Sequence, residues 1–353
     1  VGLVVMSPIG AKLEDVALRW RLDILKLPPE SGAAFVTGAS MANFTGLAAA
    51  RHALLAREGW DVEARGLYGA PEITVVIGGE AHSTLLKALA MLGLGRERVI
   101  RVPVDGQGRM IPAQMPPLTG PTIVCLQAGN VNTGAFDPFA EACEIAHRAG
   151  AWVHVDGAFG LWAAASPQFA HFTVGVEQAD SWATDAHKWL NVPYDSGLAF
   201  VRDPQQLRGA MAQNAAYLPQ REKREPFAYT PEASRRARAV EVWAALKSLG
   251  RRGIAEMVEQ DCLHAQRFAE GLRAAGHEVL NEVVINQVMV KFGDAERTRR
   301  VLRAIQEDGT MWVGETNWQG HTAIRISVSS WATTDADVER SLEAMLRIAR
   351  EQA

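Results

Sequence analysis

Read along its length, the chain alternates short apolar runs with longer segments whose apolar positions recur at helical spacing. Strand-like runs fall at 33–36, 72–77, 98–104, 122–126, 152–156 and 198–201, with helical stretches at 41–56 and 85–92. A first helix over 11–26 is predicted from Leu13, Val16, Ala17, Trp20 and Ile24, and Pro28-Pro29 ends it. Beyond residue 203 the pattern changes. Amphipathic helices are predicted over 240–249, 261–275 and 295–308, with strands at 283–290 and 323–328 and a last helix capped by Thr334-Asp335. Strands interleaved with helices predict an α/β protein. The expected organisation is a large domain over 1–205, a loop and connecting helix over 206–260, and a small α+β domain over 261–353.

A chain of 353 residues, 48% hydrophobic and 22% charged, is long enough to bury two cores. Its net charge of -4 is spread along the chain, so no nucleic-acid surface is expected. No apolar run approaches the roughly 20 residues of a membrane span, and the first six residues lack the basic flank of a signal peptide. Cys125, Cys143 and Cys262 are odd in number and widely spaced, which fits reduced thiols and a cytoplasmic location. No C-x-x-C, H-E-x-x-H or EF-hand loop is present, so no metal is expected.

Candidate chemistry concentrates at three places. Lys188 follows His187 in Thr184-Asp185-Ala186-His187-Lys188-Trp189, between two strand-like runs. A lysine desolvated there is more easily neutral and nucleophilic, as a Schiff-base lysine must be; on spacing alone, a lysine snorkelling from a turn is an equal reading. The strand 152–156 ends in Asp156, at the edge where open α/β sheets bind ligands. An Asp that only caps the following turn remains the alternative there. Thr37-Gly38-Ala39-Ser40 links a strand to a helix, the geometry whose free amides and positive dipole end bind phosphate. An ordinary N-cap by Ser40 is the simpler reading. Gly38-Ala39-Ser40-Met41-Ala42 is also a near miss to the G-x-S-x-G elbow of hydrolases, with His264, His277 and His321 as possible partners.

Taken together, Thr184-Asp185-Ala186-His187-Lys188-Trp189, Val192-Pro193-Tyr194-Asp195, Asp156-Gly157-Ala158-Phe159, Gly134-Ala135-Phe136-Asp137 and the Ala39-Ser40 turn resemble the group II pyridoxal-phosphate-dependent amino-acid decarboxylases. The resemblance covers nearly the whole chain. It implies fold type I, with a mainly parallel seven-stranded sheet, and decarboxylation of an L-amino acid to an amine and CO2. Transamination, aldehyde formation or an inactive cofactor-binding homologue are the alternatives. It implies pyridoxal 5'-phosphate linked to Lys188, its ring nitrogen paired with Asp156, and His82 stacked on one ring face with Ala158 against the other. Ala39, Ser40, Asp185 and His187 fall at further cofactor positions. Tyr217 falls where the family's mobile loop carries the tyrosine that reprotonates the α-carbon. The cluster Arg235, Arg236 and Arg238 falls near the expected phosphate, and a solvated basic face is an equal reading for each arginine. The family's active site forms between two subunits, so a homodimer is expected. Three departures stand out. Asn130-Val131 replaces a pair of threonines, one of which normally touches the cofactor, and Asp156-Gly157-Ala158-Phe159 replaces Asp-Ala-Ala-Tyr. The sequence carries no counterpart of the helical arm that precedes Ser7-Pro8-Ile9 in the family, a difference expected to bear on the choice of amino acid. Trp152, Trp162 and Trp182 invite an aromatic substrate, although buried tryptophans are more often core.

Overall fold

The computed structural model describes residues 2–213 and 224–352. In chain order the elements are α1 (Pro8–Ile24), β1 (Gly32–Val36), α2 (Ala39–Arg57), α3 (Val62–Arg65), β2 (Thr74–Gly78), α4 (Ser83–Met91), β3 (Ile100–Val102), β4 (Thr122–Gln127), α5 (Phe139–Arg148), β5 (Trp152–Asp156), β6 (Ser181–Asp185) and β7 (Gly197–Val201). They are followed by α6 (Pro204–Met211), α7 (Ala239–Ala274), β8 (Glu278–Val279), β9 (Gln287–Lys291), α8 (Ala295–Asp308), β10 (Gly314–Trp318), β11 (His321–Ser327) and α9 (Asp335–Glu351).

The first seven strands form one sheet in the order β1-β7-β6-β5-β4-β2-β3. The run from β3 to β6 is parallel, and β7 alone is reversed, antiparallel to both β6 and β1. Every residue of β4, β5, β6 and β7 is buried, because helices cover both faces of a parallel sheet. Successive side chains divide between those faces. Val153 and Val155 of β5 enter the larger core with Phe35, Val124, Trp162 and Phe200, whereas Trp152 joins the core under α2 and α4. A separate four-stranded sheet, β10-β11-β9-β8, packs with α8, α9 and the end of α7 around a second core.

Helix α7 serves both cores. Ala239 to Cys262 contribute to the first and Ala265 to Leu272 to the second. The expected helices at 240–249 and 261–275 are therefore one 36-residue element, broken only at Gly250, whose φ of 62° is glycine territory. Other boundaries also differ from expectation. Helix α1 starts at Pro8, where a proline suits the first turn, and ends before Pro28 is reached. The strand expected at 283–290 begins only at Gln287, since Val283 has a φ of 53° and the Asn281 side chain donates to Thr133 O and Gln287 O.

Helix α1 is pinned by a buried ion cluster. Glu14 Oε1 and Oε2 each accept from Arg235 Nη2 at 2.9 Å, and Oε1 accepts from Arg224 Nη1 at 3.0 Å. Burial opposes the Glu14 charge, but the two guanidiniums prevail and hold its carboxyl below the usual range. That stability is present above the unfolded carboxylate range and is lost as pH falls through the depressed value. Glu14→Ala takes the carboxylate from two cations and is expected to cost about 3–5 kcal/mol at neutral pH, read by urea denaturation.

Candidate active site

The carboxyl ends of three neighbouring strands meet at one point. Gln127 closes β4, Asp156 closes β5 and Asp185 closes β6, with Gln127 paired to Asp156 and Asp156 to Ala183 in the sheet register. In open α/β sheets this edge is where ligands bind. Strand β1 ends at the same edge and passes through Gly38 into α2. There Gly38 and Gly197 cross so closely that a Cβ on Gly197 would lie 2.4 Å from the Gly38 Cα, so the crossing requires glycine.

Lys188 sits three residues beyond β6, and its Nζ lies 3.1 Å from Asp185 Oδ2. The other Asp185 oxygen, Oδ1, accepts the Ala39 amide of α2 at 2.6 Å. Asp185 thus ties the lysine loop to the start of α2. His187 packs beside it, 3.5 Å from Asp185 Oδ1, with Nδ1 accepting the Ser196 amide and its ring stacked on Tyr194 at 4.1 Å.

His82 precedes α4 and caps it. Its Nδ1 faces the Thr84 amide at 3.3 Å and the Thr84 hydroxyl at 2.7 Å. Since the amide can only donate, Nδ1 accepts, and the ring proton of the neutral imidazole is on Nε2. Burial pushes His82 down; Asp156 opposes that, while Lys188 and Arg325 add to it. Asp156 is pushed up by burial against the Asn43 hydrogen bond and the nearby charges of His82 and Lys188. Its Oδ2 accepts from Asn43 Nδ2 at 3.0 Å and its Oδ1 from the Ala158 amide at 3.2 Å.

Three of these groups, His82, Asp156 and Lys188, line one cavity, whose walls are completed by Gln127, Gly129, Val131, Ala158 and Phe159. A carboxylate has roughly four acceptor positions, and Asp156 spends two on protein donors. The rest suit a protonated ring nitrogen, while His82 and Ala158 are flat and small enough to bracket a planar ring. The residues present therefore fit pyridoxal phosphate.

Other expectations are revised here. The Lys188 side chain is 40% exposed and ion-paired, rather than sealed in an apolar setting. Ser40 is not the N-cap of α2: Gly38 holds that position, and Ala39 and Ser40 lie in the first turn. The arginine cluster is committed elsewhere. Arg235 meets Glu14, while Arg236 and Arg238 bind Asp195 beside the lysine loop. Trp152, Trp162 and Trp182 are core residues whose indole N–H groups donate to Ser181 Oγ, Asp185 O and Val176 O. His264, His277 and His321 lie in or beside the second sheet, and His264 faces Asp335 at 3.0 Å. Tyr217 lies outside the described residues, as does most of the charged stretch 220–225.

Five site residues were given no site role from sequence. Gln127, Gly129, Phe159 and Val131 line the cavity, and Val131 and Phe159 are departures from the family pattern. Arg325, on β11, reaches the Val131 carbonyl at 3.2 Å and carries its charge toward His82. An arginine amid the apolar residues of a strand was its one visible signal.

Behind the lysine, Trp189 donates its indole N–H to Asp261 Oδ2 at 2.7 Å. Burial pushes this Asp261 up to about 7, with only that bond pulling it down. The folded state therefore binds a proton more tightly than the unfolded chain, so stability falls as pH rises from the ordinary carboxylate range towards 7. Asp261→Asn keeps an acceptor for Trp189 without the charge. It is expected to flatten that slope and to exceed the parent at pH 8 by on the order of 1–3 kcal/mol, measured by urea denaturation at pH 5 and pH 8.

A mostly parallel seven-stranded sheet carrying a lysine, an aspartate and a histidine at its carboxyl edge defines a fold type I pyridoxal-phosphate protein. A family model described as the pyridoxal-dependent decarboxylase conserved domain matches residues 4–292, and the chain belongs to that family. An acidic amino acid decarboxylase from Bos taurus is 30% identical over 282 residues, covering 76% of this chain and 53% of the bovine protein. Tryptophan decarboxylase 1 from Oryza sativa subsp. japonica is 27% identical, covering 98% of this chain and 74% of the rice protein. The crystal structure of Oryza sativa TDC with PLP and tryptamine superposes with a TM-score of 0.90 at 25% identity, covering 99% of this chain and 78% of that one. The chain thus spans about half the length of the bovine relative it matches. Among the described residues, no helix is long and apolar enough to cross a membrane.

Proposed function

We propose that this chain carries pyridoxal phosphate on Lys188 and removes the carboxyl group of an L-amino acid as CO2, leaving the amine. The observation that carries this reading is the convergence of Lys188, Asp156 and His82 on one cavity at the carboxyl edge of the sheet. Pyridoxal phosphate supplies an electron-withdrawing ring that accepts the electron pair of a bond broken at the α-carbon.

The chain's own groups have distinct tasks. Asp156 holds a proton on the ring nitrogen, keeping the ring electron-poor. His82, with Nε2–H available as a donor, and Ala158 would bracket the ring. Asp185 orients the Lys188 amine and closes the first amide of α2, while His187 packs beside it. The Ser40 amide and hydroxyl in the same first turn are assigned to the phosphate. Tyr217 is assigned the return of a proton to the α-carbon.

The reading extends to a homodimer with the active site at the subunit interface. Tyr194 and Trp331, 77% and 74% exposed beside the lysine loop, are the surface a second subunit would cover. Residues 1–205 are taken as the cofactor domain, 206–260 as connection and 261–353 as the small domain. The free, buried Cys125, Cys143 and Cys262 suit a reducing cytoplasm. The test is the absorbance spectrum of the purified chain with pyridoxal phosphate, before and after borohydride, followed by peptide mapping. A visible band trapped on Lys188, with CO2 and amine released from an amino-acid panel, supports the reading. A chain that traps no cofactor sinks it.

A further inference from the structure

The face of β5 that carries Asp156 also carries Trp152 and His154, since alternate residues of a strand share a face. All three look toward α2, whose Asn43 and Gly46 are three residues apart and so lie on one side of the helix. Gly46 makes room for the imidazole: a Cβ there would stand 2.8 Å from His154 Cε1. The neighbouring strand offers Ser181, the register partner of His154. Asn43, His154 and Ser181 are all fully buried.

Their hydrogen bonds can be oriented from the two ends of the row, Trp152 and the Asp156 carboxylate. The Trp152 indole can only donate, so Ser181 Oγ accepts from it at 2.8 Å. An ionised Asp156 can only accept, so Asn43 turns Nδ2 to it and Oδ1 to His154, which leaves Nδ1 to accept from the Ser181 hydroxyl, 2.8 Å away. With Nδ1 accepting, His154 carries its proton on Nε2 and donates to Asn43 Oδ1 at 2.9 Å. The Asn43 Nδ2 to Asp156 Oδ2 bond, at 3.0 Å, closes the row. The opposite flip would aim the amide oxygen at a carboxylate. Burial pushes His154 down to about 3, so the ring transmits orientation without bringing charge.

We propose that Trp152, Ser181, His154 and Asn43 form a one-way hydrogen-bond chain that positions Asp156 as a carboxylate aimed into the cofactor cavity. These are positioning residues: among them only Asn43 touches Asp156. The tautomer of a buried histidine thus decides whether the aspartate meets a donor or an acceptor. Its bearing on catalysis rests on the function proposed above, but the chain itself is a property of the protein without cofactor.

The test follows the Asp156 carboxyl by carbon-13 NMR of cofactor-free protein labelled at aspartate carboxyls, in the parent, His154→Phe and His154→Gln. The titrating groups that face Asp156 are His82 before α4, Lys188 after β6 and Cys125 on β4, and all are retained. Phenylalanine breaks the chain and frees the Asn43 amide, so the Asp156 midpoint rises. Glutamine offers one donor and one acceptor in place of the imidazole, so the midpoint stays near the parent's. The dissociation constant for pyridoxal phosphate is expected to rise roughly tenfold to a hundredfold in His154→Phe, as for a lost hydrogen bond to a charged group, and to recover in His154→Gln. If the phenylalanine variant fails to fold, Ser181→Ala with nitrogen-15 observation of His154 replaces it. A single Nε2–H tautomer in the parent and a mixture in the variant are expected. Matching Asp156 titrations in folded parent and His154→Phe, or an Nδ1–H tautomer in the parent, overturns the proposal. A parent that binds no pyridoxal phosphate would instead overturn the functional reading and leave the titration to judge the chain.

Discussion

Lys188→Ala is expected to abolish borohydride trapping of pyridoxal phosphate and to lower turnover by about 10⁴-fold or more, some 5 kcal/mol of barrier. The size follows from what the side chain does. Among the described residues no other lysine lines the cavity, so its loss removes the amine placed to hold a carbonyl cofactor there. The change is made at a side chain 40% exposed to solvent, so folding should be nearly untouched and denaturation midpoints close to the parent's. Asp185 itself is buried, and its other oxygen keeps the Ala39 amide after the substitution. Mass spectrometry of the reduced, digested protein reads the first effect, and amine release reads the second. A variant that still traps cofactor at another lysine would move the site.

Asp156→Asn should lower kcat/KM by about 10³-fold, or ~4 kcal/mol of transition-state stabilisation. The carboxamide is nearly isosteric, and Asn43 still has an acceptor to meet, so the cavity keeps its shape. What is lost is the negative charge that holds a proton on the ring nitrogen, in a buried place where no water can substitute. Removing that charge also relieves His82 of the one neighbour that favours its protonation, so its titration moves further down. Steady-state rates on the amino acid identified by the panel, with bound cofactor counted by absorbance, separate poor binding from poor chemistry. A kcat within threefold of the parent would mean that Asp156 is structural.

Much of this was legible in the chain before any coordinates. Trp152–Asp156 is the strand that the short apolar run suggested, and Ala295–Asp308 is the helix that its amphipathic pattern suggested. Both are governed by local periodicity. What failed was set by distant residues. Helix α2 begins two residues early because Asp185, 146 positions away, closes its first amide. Strand β10 escaped because, at the edge of its sheet, its first four residues alternate between exposed and partly buried and only Trp318 is buried. Residues 283–286 read as strand on composition, yet asparagine side chains take up the local backbone groups, Asn281 at Gln287 and Asn286 at Val328. In the site, Lys188, His82 and Asp156 stood out by motif, whereas Gln127 is an unremarkable strand end that only the sheet register brings beside Asp156.

The lysine loop is also fastened to the segment between β11 and α9 through Asn191, a residue with a φ of 57°. Its side-chain amide donates to Trp189 O at 2.8 Å and to Ser329 O at 2.9 Å, and its oxygen receives the Trp331 amide at 3.4 Å. Each such bond is worth on the order of 1 kcal/mol net, so the fastening opens and recloses far more readily than either core unfolds. When it opens, two segments are released together: one leads into the lysine, the other into α9 of the second core. Position 191 therefore couples the lysine loop to the second core, and a change there would loosen both segments while leaving the cavity's chemical groups in place.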